Sequence, residues 1–312
     1  MPKLSVIIPI YNTEKFIERC LRSLFEQTLD DIEYIFINDC TPDNSMAILE
    51  TVLKEYPHRI NQVKIINHEQ NQGQAGARSS GMKAMTGEYM IHCDPDDWIE
   101  LNMYELMINE IINTDSDVVI CDYYRETETE QIVCNNRFDS RPEQILSSTS
   151  LFTLWCRCIR TSLIKQHQIY PYIGINMWED IGIVARLYYY TNKISYLNIP
   201  LYHYNKINNI SISSDIWNKF DDMYNCIEKL EKFYSERKID VTNFLNPLKL
   251  SLKLHFITKK NDYFKFKYYY PEINRYILKT DKLSLMFKIV CYLASIGIVF
   301  PHKLYKKLAS FI

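Results

Sequence analysis

YMIHCDPDDW, residues 89–98, is a short apolar run that stops at three carboxylates within four positions. If all three were ionised, Asp94, Asp96 and Asp97 would repel one another more strongly as water is excluded, so a cationic partner is expected there. Pro95 pushes Asp94 into the extended region, and residues two apart in an extended chain project to the same side. Asp94 and Asp96 are therefore expected to face one ligand together. Asp97 stands three residues before Glu100 and ahead of an amphipathic run, so residues 97–100 also read as a capping box opening a helix. Capping explains Asp97 and leaves Asp94 and Asp96 unexplained.

Working back from this stretch, the chain reads as alternating strands and helices. Residues 4–10 are continuously apolar, which suits a strand buried on both faces of a parallel sheet. Phe16, Cys20, Leu21 and Leu24 recur at helical spacing over residues 14–27, and residues 32–37 form the second strand, stopping at Asn38-Asp39. Thr41 as N-cap, Pro42 at the first helical position and Asp43 in the first turn open the next helix. Residues 63–66 give a third strand. The small residues of the next helix, 71–81, let it approach the sheet closely, and Gly87 reads as its left-handed cap. The fourth strand then delivers the carboxylates to its carboxyl end, where open α/β sheets bind ligands.

Strands and helices alternating in this order make a nucleotide-binding architecture, yet Gly-x-Gly-x-x-Gly after the first strand and any Walker-type loop are both lacking. With seven glycines in the whole chain, no Gly-rich loop cradles a diphosphate. A divalent cation held by one or two carboxylates and bridging phosphate oxygens is the remaining device, and Asp94 and Asp96 fit it. Asp39, as a carboxylate, only accepts hydrogen bonds. It suits the imide N–H of uracil or thymine, or N1–H of guanine, and a uridine donor is the first choice. The competing reading of Asp39 is a turn residue.

Pro9-x-Tyr11-Asn12, Asn38-Asp39-Cys40-Thr41-x-Asp43, Asn71-x-Gly73-x-x-x-Ala77-Arg78 and Asp94-x-Asp96-Asp97 follow one another in that order. Together they resemble a family 2 glycosyltransferase of the GT-A fold. The resemblance implies an open, mostly parallel nucleotide-binding sheet flanked by helices, with a C-terminal helical extension. It implies Asp39 at the nucleotide base, Asp94 with Pro95 near the ribose, and Asp96 with Asp94 on Mn2+ or Mg2+. Pro9, Tyr11, Asn12, Asn71, Gly73 and Arg78 would complete the nucleotide-sugar site. Two positions depart from the pattern. Cys40 stands where glycine is usual, so a turn needing positive φ would be strained, and Ser79 replaces the usual asparagine.

Beyond Asn113, strands are expected over 117–124 and 154–159. The second carries Cys156-x-Cys158 as buried fillers and Arg157, which either reaches a phosphate or pairs with a surface acid. Trp178-Glu179-Asp180 opens a helix over 181–190. Acids are favoured at a helix start by the dipole, so capping is one account. The other is a general base that takes the acceptor hydroxyl's proton as the bond to the anomeric carbon forms. Asp180 matches the acidic base of the resembled family, with Glu179 orienting it or holding the acceptor. A single displacement with inversion is expected, because a retaining route needs a second carboxylate nucleophile. His203, in the strand around 201–204, is either a further metal ligand or a packed ring.

The 312 residues, 47% hydrophobic, suit one large α/β domain or two smaller ones. The division expected is a catalytic domain over 1–214, with a nucleotide-sugar half (1–100) and an acceptor half (101–214), followed by a basic, aromatic-rich helical region over 215–312. Nine cysteines without Cys-x-x-Cys or a Cys/His cluster point to a reducing cytoplasm and away from zinc. The N-terminus reads as a strand rather than a signal peptide. The net charge of −2 hides an asymmetry: residues 245–312 carry 13 Lys and Arg against 3 Asp and Glu, or +10, so the rest carries −12. That acidity argues against a nucleic-acid substrate. In the basic end, aromatic residues and lysines interleave over 264–270, an apolar run follows over 285–300, and Lys303, Lys306 and Lys307 come after it. Such a segment would lie in the interface of an anionic membrane rather than cross it, or else pack on the protein. The functional expectation is a metal-assisted inverting transferase, using a UDP-sugar donor and a saccharide or lipid-linked saccharide acceptor. It would work in the cytoplasm or at the inner face of the plasma membrane. The alternatives are a sugar nucleotidyltransferase and a non-catalytic nucleotide-sugar-binding module.

Overall fold

A computed structural model of the chain describes residues 1–136, 152–207, 219–257, 262–281 and 283–298. The chain divides into two compact units, Met1–Ile216 and Trp217–Ile312.

The first unit is built on a nine-stranded mixed sheet. In chain order its strands are β1 (Leu4–Ile10), β2 (Ile32–Asn38), β3 (Val63–Asn67), β4 (Tyr89–His92), β5 (Trp98–Ile99), β6 (Val118–Glu126), β7 (Gln131–Cys134), β8 (Arg157–Arg160) and β9 (Ile194–Asn205). The spatial order is β3-β2-β1-β4-β8-β6-β9-β5, with β7 as a hairpin partner of β6. The first four run parallel, with Ile7 between Ile35 and His92, and β8 then pairs antiparallel with β4. Val6, Ile7, Ile8 and Ile10 have no exposed surface, as expected for a strand covered on both faces. Each contributes roughly 1.5–3 kcal/mol by leaving water.

Helices α1 (Ile17–Phe25), α2 (Ser45–Glu55), α3 (Gly73–Ala84), α4 (Met103–Thr114), α5 (Thr161–His167) and α6 (Glu179–Tyr190) belong to this unit. The close approach of α3 is real: a Cβ on Gly81 would come within 2.5 Å of Ile7 Cγ2.

Several local expectations are corrected. Gly87 does not cap α3 and does not have positive φ; a Cβ there would meet the Ser5 and Leu4 backbone at 2.7 and 2.9 Å, so tight packing on β1 requires the glycine. α2 begins at Ser45 rather than at Pro42, because Asp43 accepts from Thr41 Oγ1, Ser45 N and Glu14 N and folds residues 41–44 into a polar turn. Residues 97–100 are no capping box: Trp98 and Ile99 pair with β9, and α4 starts only at Met103. The strand expected over 154–159 runs from Arg157 to Arg160. Arg157 is buried and donates to Tyr188 Oη at 2.9 Å. Cys156 and Cys158 are buried as anticipated. Cys40 does sit at positive φ, 58°, in the left-handed region that favours glycine.

The second unit contains helices α7 (Phe220–Ser235), α8 (Thr242–His255), α9 (Tyr263–Tyr268), α10 (Asn274–Lys279) and α11 (Leu285–Ser295). Lys249 bridges Glu231 and Glu272, and the fully buried Lys253 donates to the Tyr269 and Tyr270 carbonyls. No helix among the described residues is long and apolar enough to cross a membrane. The expected Lys303, Lys306 and Lys307 lie outside the described residues, as does the start of the helix expected near 215.

Candidate active site

The carboxyl ends of β1, β2 and β3 lie side by side because the strands are parallel and in register. Each supplies polar groups there. After β1 come Pro9, Tyr11, which is 49% exposed, and Asn12 at φ 55°, whose N–H donates to Thr41 Oγ1 at 2.8 Å. After β2 comes Asp39, 2% exposed, whose Oδ1 takes the Gln72 N–H at 2.8 Å and faces His68 Nδ1 at 2.7 Å. Its Oδ2 makes no hydrogen bond among the described residues, which leaves acceptor capacity for a ligand. Asn71 Nδ2 donates to the Asp39 carbonyl, and Asn71 Oδ1 accepts from Gly73 N, so the turn entering α3 is tied to Asp39. His68 was not anticipated. It follows β3 as Asp39 follows β2, and that position was the available signal.

The tip of β4 divides its three acids among different partners. Asp94 Oδ1 pairs with Arg78 at 2.8 Å, and the other arm of the same guanidinium pairs with Glu179 Oε1 at 2.8 Å. Arg78 is 3% exposed. Burial opposes its charge, but Asp94, Glu179 and Asp180 outweigh it and hold the guanidinium above its ordinary value. The expected cation at the acidic tip is thus partly supplied by α3. His92 is buried beside it with neither ring nitrogen bonded; burial, and then Arg78, push it well below the ordinary histidine range, so it sits there neutral.

Asp97 is drawn away from the ligand side. Its Oδ2 accepts from Tyr202 Oη at 2.6 Å and its Oδ1 from Asn205 N at 2.8 Å, so it fastens the tip to β9. Burial, then Asp96 and Asp94, push this carboxyl well above the ordinary range. The folded state therefore holds a proton that the unfolded chain releases. Its stabilising contribution is full below the ordinary carboxylate pKa and is lost as pH rises towards the folded value. Asp97→Asn preserves the shape and removes the charge, so its stability relative to wild type is expected to improve between pH 5 and pH 8. Urea unfolding at the two pH values checks this, and an opposite trend would contradict the protonated assignment.

Asp96 is half-buried. With Lys15, Phe16, Arg19, Trp98 and Asn205 it lines a cavity of about 470 Å³, in which the Arg19 guanidinium lies 3.2 Å from the Trp98 ring centroid. Neither Lys15 nor Arg19 forms an ion pair among the described residues; the cavity sets these two cations beside the acids Glu18 and Asp96, and Arg19 also feels the charge of Glu126. No group of three or more His, Cys, Asp or Glu among the described residues is placed to hold a metal. One or two carboxylates at this tip fit a cation shared with ligand oxygens, not an all-protein cage. His203 leaves the expected metal set. Its Nδ1 faces Glu126 at 2.6 Å and its Nε2 faces Glu100 at 3.0 Å, and its ring stacks between Trp98 and Tyr124. Ligation would require giving up one of those carboxylates.

Glu179 and Asp180 occupy the first turn of α6, next to Trp178 at φ 65°. Glu179 faces Arg78, and burial raises its carboxyl against that cation's pull. Asp180 keeps some open surface; its Oδ1 accepts the Ile181 N–H at 2.7 Å, as a helix-start acid does. Burial raises Asp180 too, opposed by Arg78. The structure thus brings Asp94, Arg78, Glu179 and Asp180 into one electrostatic group, and Asn176, just upstream, accepts from Ala75 N of α3 at 3.0 Å.

A parallel run of strands, β3-β2-β1-β4, continued by a mixed run with acids at the strand ends, defines the GT-A fold class. The model described as glycosyl transferase family 2 matches residues 5–158, and through that segment the chain belongs to the family. The chain is 34% identical to the putative glycosyltransferase EpsH of Bacillus subtilis (strain 168) over 216 residues, covering 65% of this chain and 60% of EpsH. It spans as little as 30% of the length of other curated relatives. Staphylococcus aureus TarS 1–349 in complex with UDP-GlcNAc superposes with a TM-score of 0.69 at 19% identity, over 99% of this chain and 92% of that one. The Pyrobaculum calidifontis mannosyltransferase PcManGT, with GDP-Man and Mn2+, gives 0.56 at 12% identity over 99% and 84%.

Proposed function

We propose that this chain is an inverting glycosyltransferase that moves a sugar from a UDP-sugar to a hydroxyl of a saccharide or lipid-linked saccharide. The observation that carries the reading is the Asp94–Arg78–Glu179 ion chain, which couples the acidic end of β4 to the first turn of α6. In this reading the base lies on Asp39 and the turn at Asn71, and Tyr11 covers the nucleoside from the exposed end of β1. Asp96 and the diphosphate would share a divalent cation, which when bound offsets charge on the departing diphosphate. The GT-A neighbours crystallised with UDP-GlcNAc and with Mn2+ support this choice of ligands.

Asp180 accepts the acceptor hydroxyl's proton as its oxygen bonds to the anomeric carbon. The bond from that carbon to the diphosphate oxygen breaks in the same displacement, and UDP departs. A raised carboxyl is the stronger base, so burial serves Asp180 in this role. Glu179, held by Arg78, positions the first turn of α6.

Thermal unfolding with UDP-, GDP- and dTDP-sugars, with and without Mn2+, tests the donor assignment. A UDP-sugar at one hundred times its Kd is expected to stabilise the fold by about 2.7 kcal/mol, with Mn2+ needed for the full effect. Stabilisation by GDP-sugars alone would overturn the uridine assignment, and none by any donor would overturn the function.

A further inference from the structure

α11 buries one side and leaves the other uncovered. Phe287, Val290, Cys291 and Ala294 are buried, whereas Leu285 is 75% exposed, Ile289 50%, Tyr292 45% and Ile296 52%. At 3.6 residues per turn these four exposed positions fall on a single stripe. α9 packs against α11 and brings Phe264 and Tyr268, 72% and 59% exposed, with ring centroids 4.6 Å apart. Large apolar side chains gathered in the open mark an interaction surface. They are not needed for the fold of this unit, whose own core lies on the opposite side of α11.

The charge around this surface identifies the occupant. Lys267, on α9, places Nζ beside Gly297 in the turn that follows α11, and Lys288 lies within α11 itself. Neither forms an ion pair among the described residues, and residues 245–312 carry +10 overall. A second copy meeting this face about a two-fold axis would bring like charges together. A nucleic acid would meet the lysines and leave the aliphatic stripe in water. An anionic lipid surface satisfies both, because an amphipathic helix lying in the interface buries its apolar side while cations stay at the headgroups.

We propose that the exposed stripe of α11, with Phe264 and Tyr268, docks the chain on an anionic membrane surface without crossing it. Eleven helical residues are too few to span, since a crossing helix needs about twenty. The proposal stands apart from the donor site and survives if the sugar-transfer reading fails.

The test is co-sedimentation of the full chain with vesicles of phosphatidylcholine alone or mixed with phosphatidylglycerol. Each lysine near the surface contributes about fivefold, so two give a preference of about 25-fold for the anionic vesicles, reduced by salt. Leu285→Glu with Ile289→Glu is expected to lower that binding at least about tenfold. Both residues are exposed, so circular dichroism and melting should match wild type. Equal partitioning into the two vesicle types, or undiminished binding by the double variant, would overturn the proposal. So would a dimer in analytical ultracentrifugation that the double variant dissolves, or binding to a DNA duplex in place of vesicles.

Discussion

Asp180→Asn is expected to lower kcat by a factor of about 10²–10⁴, the usual span for loss of a general base, and to leave donor binding intact. The substitution is informative because it keeps the helix start. Asparagine retains Oδ1, which accepts the Ile181 N–H at 2.7 Å, so the first turn of α6 should be unchanged while the basic site is lost. Single-turnover transfer measured beside donor-induced thermal stabilisation separates the two effects. An unchanged rate would remove Asp180 from the mechanism. A second readout follows from burial, which raises the Asp180 carboxyl. Activity should rise with pH as this group deprotonates, with its midpoint above the ordinary carboxylate range, and that acidic limb should vanish in the variant.

Arg78→Met should cost roughly 3–5 kcal/mol, the usual consequence of removing one partner from a buried ion pair. The guanidinium, 3% exposed, reaches Asp94 and Glu179 at 2.8 Å each, and methionine fills similar space with no charge. Two carboxylates then face each other with little water. Glu179, already raised by burial and no longer opposed by Arg78, moves up further. Stability is kept at acid pH and lost as pH rises through the folded-state value of Glu179, so the deficit is larger at pH 8 than at pH 5. Urea unfolding of wild type, Arg78→Met and Arg78→Met with Glu179→Gln should show the added glutamine recovering part of the loss at pH 8. A single-variant deficit below about 1 kcal/mol there, the level of an exposed pair, would mean that the ion chain is not structural.

The parallel part of the sheet was legible because its signals are local. Continuous apolar runs announce strands covered on both faces, and the residues just after such strands fall at one edge wherever neighbours run parallel. Asn12, Asp39 and Asp94 all stand there. The errors arose where two local readings compete. Asp97 followed by Glu100 has the spacing of a capping box, but its actual partners are Tyr202 and Asn205, 105 and 108 residues further on. His203 looked free to bind a metal because nothing nearby in sequence engages it; Glu100 and Glu126 come from other elements. The bounds of α2 shifted for a lesser reason: Asp43 served a turn before the helix instead of the helix itself.

The sequence by itself determined the parallel half of the sheet, the acids at its carboxyl edge and the basic, aromatic character of the C-terminal region. These follow from hydrophobic periodicity and chain stiffness, which act over a few residues. Only the tertiary structure decided which acid faces the cavity, which is fastened to β9 and which is neutralised by Arg78. It alone joined Glu179 to Arg78 across 101 residues and turned one stripe of α11 outward. The reason is physical: the fate of a charged or apolar side chain depends on burial and on the groups that meet it there. Those groups are brought together by the packing of distant elements, which local spacing does not encode.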